Sequence, residues 1–115
     1  MTIERMHVGK RLSEIAVHGD TVYLAGQVAE DNTQDISGQT RQVLAAIDKL
    51  LWEAGSDKSK LLQVTIFVAD MQDFPGMNAV WDGWVVPGAT PPRATVEAKL
   101  AKPEWKVEML VVAAR

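Results

Sequence analysis

One stretch restricts the possible folds more than any other. Ile36, Val43, Leu44, Ile47, Leu50, Leu51 and Ala54 recur at steps of three, four and seven, which lines them up on one side of a helix. A short polar link, Ser56 to Lys60, follows with room for one helical turn. Leu61 to Val68 is then a continuous, partly β-branched run, the pattern of a strand buried on both faces. Asp35 suits the N-cap of the helix and Gly55 the residue just past its end, which predicts a helix over about Ser37 to Ala54. A long one-sided helix running directly into a buried strand needs a sheet to lie on. With no cysteine in the chain, no disulfide can staple that sheet.

The flanking segments extend this pattern. Ile3 to Val8, Ser13 to His18 and Thr21 to Ala25 read as strands, the last two joined by a Gly19-Asp20 turn into a hairpin. Gly26 interrupts the third strand. It marks either a bulge or strand exit, or a backbone lying so close to a ligand that a Cβ would clash. Asp73 precedes Phe74-Pro75, with Pro at a favoured first helical position. Met77, Val80, Trp81, Trp84 and Val85 form a second helical stripe, and Pro87-Gly88 ends it. After the stiff Pro91-Pro92, Arg93 to Lys99 alternates, with Ala94, Val96 and Ala98 on one side and Arg93, Thr95, Glu97 and Lys99 on the other. Lys106 to Ala114 is the last strand. The order β-β-β-α-β-α-β-β predicts an α+β domain, residues 1–115, with a mixed sheet and two helices on one face. Tyr23, Thr65, Thr95 and Leu110 are expected on the opposite face, a candidate surface for self-association.

Composition removes several function classes. With no cysteine among 115 residues, thiolate catalysis, zinc ribbons and iron–sulfur clusters are excluded. With His7 and His18 alone, so is a three-histidine metal site within one chain, and no metal site is expected. A net charge of −3, its charges dispersed, gives no basic excess for phosphate, so nucleic-acid binding is not expected. No apolar run approaches the roughly 20 residues of a membrane span, and the N-terminus has no apolar core of a secretory signal. The expectation is a cytoplasmic protein that contacts neither membrane nor nucleic acid.

Few residues remain to carry chemistry. Arg93, at the rigid start of a strand, is either a surface arginine or a guanidinium poised to bind a carboxylate through two parallel hydrogen bonds. Glu108, between Val107 and Met109, either faces solvent or serves proton transfer from a partly buried position. Asn78 opens the exposed side of the second helix and reads first as a solvated residue. Trp81 and Trp84 read as core. If the last two strands form a hairpin about Lys102-Pro103, Glu108 lies opposite about Glu97 and Arg93 opposite about Val112. The two then share a face, roughly 13 Å apart. One small molecule would not bridge them within one chain, and a second subunit would have to supply one of them.

Several segments are familiar in order and spacing: Val22-Tyr23-Leu24-Ala25-Gly26-Gln27, Gln39-Thr40-Arg41-Gln42-Val43-Leu44, Phe67 through Phe74, Met77-Asn78-Ala79-Val80-Trp81, Pro91-Pro92-Arg93-Ala94-Thr95-Val96-Glu97 and Lys106-Val107-Glu108. Together, from about Val17 to Ala113, they resemble the reactive-intermediate deaminase family, also called RidA or YjgF-like. The resemblance implies a chorismate-mutase-like, ferredoxin-related α+β domain that assembles as a homotrimer with active sites between subunits. It implies hydrolysis of enamines and imines such as 2-aminoacrylate to 2-oxo acids and ammonia, with no cofactor. By position, Arg93 matches the arginine that binds substrate carboxylate and Glu108 the glutamate that handles water and a proton. Gly26 matches the glycine beside the ligand, and Asn78 a supporting asparagine. Thr95 stands where the family often has cysteine. Gly9-Lys10-Arg11-Leu12-Ser13 lacks the tyrosine of the archetypal Gly-Pro-Tyr segment, and the loop before Arg93 is about two residues shorter, which marks a divergent subfamily. The alternatives carried beside the deaminase are a non-catalytic carboxylate-binding trimer with a regulatory role, a ribonuclease or translation inhibitor, and, by fold analogy, a chorismate mutase.

Overall fold

A computed structural model describes residues 1–115. The strands are β1 (Ile3–Val8), β2 (Ser13–His18), β3 (Thr21–Leu24), β4 (Gln27–Val28), β5 (Leu61–Val68), β6 (Arg93–Glu97) and β7 (Val107–Ala114). The helices are α1 (Ile36–Glu53) and α2 (Phe74–Trp84). They form one mixed sheet in the order β1-β2-β3-β7-β5-β6, with β4 pairing onto β7. Both helices lie on one face, as the order of elements predicts. No helix is long and apolar enough to cross a membrane.

α1 forms where the stripe places it. The Asp35 carboxylate accepts from the Gly38 amide at 2.9 Å, satisfying one of the free N–H groups of the first turn. Past the helix end, Gly55 sits at φ 80°, a left-handed geometry that costs a side-chain-bearing residue energy and costs glycine none. The polar link after it holds one 3₁₀ turn, Lys58–Lys60, capped by Asp57. The stripe residues Val43, Leu44, Ile47, Leu50 and Leu51 of α1, with Met77 and Trp81 of α2, bury against alternate residues of the sheet. Those are Ile15, Val17, Val22, Leu24, Val64, Ile66, Val68, Val107, Met109, Val111 and Ala113. One contiguous cluster results.

Gln39 is fully buried on the same helix and ties it to the chain leading into β7. Its Nε2 lies within hydrogen-bonding reach of the carbonyls of Asn32, Gln34 and Glu104, at 3.0–3.2 Å. Its Oε1 accepts from the Lys106 amide at 2.9 Å.

The C-terminal third departs from expectation. β6 and β7 are not a hairpin: β5 lies between them, parallel to β6 and antiparallel to β7. The reason is the crossover helix α2, which carries the chain from β5 over the sheet and returns it beside β5 in the same direction. Loop 98–106 then spans two strand positions to the far side of β5. The alternation within Arg93 to Glu97 is as read, but its sense relative to the sheet differs. Thr95 aligns with the buried Ile66 and therefore faces the helices, while Ala94 and Val96 take the open face beside Thr65 and Phe67. Tyr23, Thr65 and Leu110 lie on the open face as expected, with Tyr23 paired to Val112 and Leu110 to Thr65.

Candidate functional site

Arg93 begins β6, an edge strand. Its entry is fixed by the buried Pro91 and by Pro92, whose carbonyl accepts from the Val64 amide at 3.1 Å across to β5. The Arg93 side chain is half-buried on the helix side of the sheet. Its guanidinium carbon lies 5.2 Å from the centre of the Trp81 ring and 5.9 Å from that of Phe74. No carboxylate pairs with it; the ion pairs of the chain are His7 with Glu53 and Arg115 with Glu4.

Phe74, Asn78 and Trp81 are spaced by four and three, so they share one side of α2. Asn78 therefore stands between the two rings that Arg93 touches. It is not a solvated helix residue: its Oδ1 is buried and has no hydrogen-bond partner. The Thr95 hydroxyl, two residues along β6 on the same face as Arg93, is buried and unpartnered as well. Buried polar atoms without partners are uncommon in folded chains. Here one belongs to the side of α2 whose rings flank the unpaired Arg93, and the other to the same strand and face as Arg93.

Gly26 and Glu108 form a second group. β4 pairs with β7 through Gln27–Met109 and Val28–Glu108, which draws Gly26 against the Glu108 side chain. A Cβ on Gly26 would overlap the Glu108 Oε2 and lie 3.1 Å from its Cδ. Gly26 lies at the exit of β3, before β4, and the group packed against it is the Glu108 carboxylate. The Glu108 carboxylate is half-buried and makes no ion pair.

The two groups lie on opposite faces of the sheet, contrary to the hairpin register. Arg93 aligns with Val64, a core residue, whereas Glu108 aligns with Phe67 on the open face. They are separated by two strand spacings across and three residues along, about 14 Å between Cα atoms. A small ligand held by one does not reach the other within the chain. None of the five surface concavities is lined by Arg93, Thr95, Asn78, Gly26 or Glu108. The most voluminous, about 570 Å³, lies between α1 and α2 and includes Arg41, Asp48, Lys58 and Trp84.

Sequence reasoning read Trp81 as core and assigned Phe74 no role. Trp81 is indeed buried, but one face of its ring meets Arg93. The spacing Phe74-Asn78-Trp81 was the available signal. It was not decisive, since only the crossover brings β6 beneath that side of α2.

Comparison with known proteins adds the lineage. The family model described as "Endoribonuclease L-PSP" matches residues 2–115. A RutC family protein of Haemophilus influenzae is 50% identical over 114 residues, covering 98% of each chain. The crystal structure of an uncharacterized protein from Pseudomonas aeruginosa is 52% identical with a TM-score of 0.97, covering 99% of each chain. That of a YjgF family member from Neisseria meningitidis is 43% identical with a TM-score of 0.98, covering 100% of this chain and 96% of the other. Match, identity and structural similarity agree: the chain belongs to the RutC/YjgF family, described by the L-PSP model.

Proposed function

We propose that the protein is a cofactor-independent deaminase that hydrolyses reactive 2-imino acids and their enamine tautomers to 2-oxo acids and ammonia, working as a cytoplasmic homotrimer. The observation that carries this reading is the half-buried Arg93 guanidinium. It has no anionic partner in its own chain, and two unpartnered buried polar atoms belong to its strand and to the side of α2 that flanks it. A cation so held keeps edge N–H donors that no group of its own chain occupies and that a carboxylate satisfies bidentately. Membership in the RutC/YjgF family supports the same reading.

In the proposed reaction Arg93 binds the substrate carboxylate, with Asn78 and Thr95 lining that end. Glu108, seated on Gly26, orients a water and accepts its proton as the oxygen bonds to the imine carbon. The C=N π pair moves to nitrogen, which takes the proton. Glu108 then carries the hydroxyl proton of the resulting carbinolamine to its amino nitrogen, the oxygen lone pair forms the C=O bond as the C–N bond breaks, and ammonia and a 2-oxo acid leave. The imine carbon is intrinsically electrophilic, so orientation and one proton relay meet the chemical demand. Because Arg93 and Glu108 lie about 14 Å apart on opposite faces, one site would take Arg93 from one protomer and Glu108 from its neighbour.

The test is an assay coupled to an amino-acid oxidase, following release of 2-oxo acid from freshly formed imine. Wild type accelerates release. Arg93→Ala lowers kcat/KM by about 100-fold, the loss of a charge-assisted pair. Wild-type protein that accelerates no imino acid across a range of side-chain sizes removes the proposal.

The second reading is a carboxylate-binding trimer without turnover. It draws on the same unpaired Arg93 and does not need Glu108. Pyruvate binding retained in Glu108→Gln, in a wild type without turnover, selects it. Ribonuclease activity, the description carried by the family model, is left out of the proposal because the net charge of −3 supplies no electrostatic footprint for RNA.

A further inference from the structure

We infer that Trp81 is a positioning residue: its ring holds the Arg93 guanidinium in place and leaves the edge donors to an incoming carboxylate. The inference rests on the carboxylate-binding part of the function proposed above and deepens it.

Arginine is a flexible side chain, and an unpaired guanidinium is ordinarily free to sample many rotamers. Arg93 is held without an ion pair. The Trp81 ring, 5.2 Å from the guanidinium carbon, lies on one side, and the Phe74 ring, 5.9 Å away, adds a second contact. Stacking on an aromatic face engages the π side of the planar cation and leaves its in-plane N–H groups unused. An aspartate or glutamate in the same place would hold the cation equally well but would occupy the donors that an anion needs.

The ring is itself braced. Trp81 is buried, and its centroid lies 5.4 Å from that of Trp84 at an interplanar angle of 49°. Trp84 in turn donates from Nε1 to the Asp48 carboxylate of α1 at 3.0 Å. The guanidinium thus lies against a tilted aromatic pair anchored across both helices. A lysine in place of Arg93 keeps the charge but loses the planar contact, so it does not restore the geometry.

The experiment measures pyruvate binding by calorimetry in the assembled wild-type protein and its variants, together with the Arg93 Nε–Hε resonance. That resonance is assigned by its loss in Arg93→Lys. Trp81→Leu weakens pyruvate by about fivefold, the magnitude of a partly desolvated cation–π contact. Trp81→Phe, which keeps a ring, weakens it by roughly twofold or less. The resonance is shifted upfield by the ring in wild type and in Trp81→Phe, and returns to the free-arginine position in Trp81→Leu. If Trp81→Leu fails to fold, Phe74→Leu, at a more exposed position, replaces it, with about twofold weaker binding and a smaller shift.

Unchanged affinity and an unmoved resonance in the leucine variant overturn the inference, as does a wild type that does not bind pyruvate. The two proposals fail separately. Wild type that binds pyruvate through Arg93 but turns over no imine removes the deaminase and leaves Trp81 in its role. Full turnover with Trp81→Leu indistinguishable from wild type does the reverse.

Discussion

At residue 26 a missing side chain decides where a carboxylate sits. The Glu108 side chain occupies the space a Cβ would take, and its far end is flexible enough to move aside. Gly26→Ala is therefore expected to fold with little change in thermal midpoint while swinging the Glu108 carboxylate out of place. On the proposed mechanism, turnover falls by about tenfold or more and pyruvate affinity holds. Parallel melting and oxidase-coupled assays check this; unaltered turnover would place the reacting water elsewhere. Gly26 stood out in the sequence as an interruption of a strand, but its neighbour was illegible there. Eighty-two positions separate it from Glu108, and only the pairing of β4 with β7 joins them.

Between elements, the polar residues of α1 matter as much as its apolar stripe. Gln39 serves three carbonyls and one amide from inside the core. Gln39→Leu keeps the bulk but leaves those groups unpaired and buried. A loss of about 3 kcal/mol is expected, read as a lower urea midpoint at unchanged slope. The 3₁₀ turn after α1 has a pH-dependent contribution. The Asp57 carboxyl is held below its usual range, first by the Ser59 hydroxyl and then by the Ser59 amide. Its folded pKa lies below its unfolded one, so the contribution is complete above the unfolded carboxylate range and disappears as pH falls through the lowered value. Asp57→Asn should flatten the acid limb of the stability profile slightly, measured by urea unfolding between neutral pH and about pH 3. The group is exposed, so the effect is small. Helix and strand positions were largely legible, because steps of three and four and of two are local properties of the chain. The partner order of β5, β6 and β7 was not. A hairpin and a crossover place similar demands on the residues of β6 and β7, and α2 is what selects between them.

At the level of the whole molecule, the open sheet face is the uncovered side of the layer. Tyr23, Leu110 and Val96 expose 41–49% of their surface there, beside Ala94, Val112 and Thr65. An apolar face of this kind fits the proposed trimer. Wild type is expected to run in light scattering at three times the 12.6 kDa chain mass. Tyr23→Glu is expected to shift it to the monomer with the chain still folded, and to abolish turnover by separating Arg93 of one protomer from Glu108 of the next. A monomeric wild type that turns over imines would refute the shared site. The sequence by itself determined the two helices, most of the strands and the residue types available for chemistry, since these follow from periodicity and composition. The tertiary structure alone decided that Arg93 lies against aromatic rings and Glu108 against a glycine on the opposite face. Strand order and facing arise from contacts between segments far apart in the chain, and no local pattern encodes them.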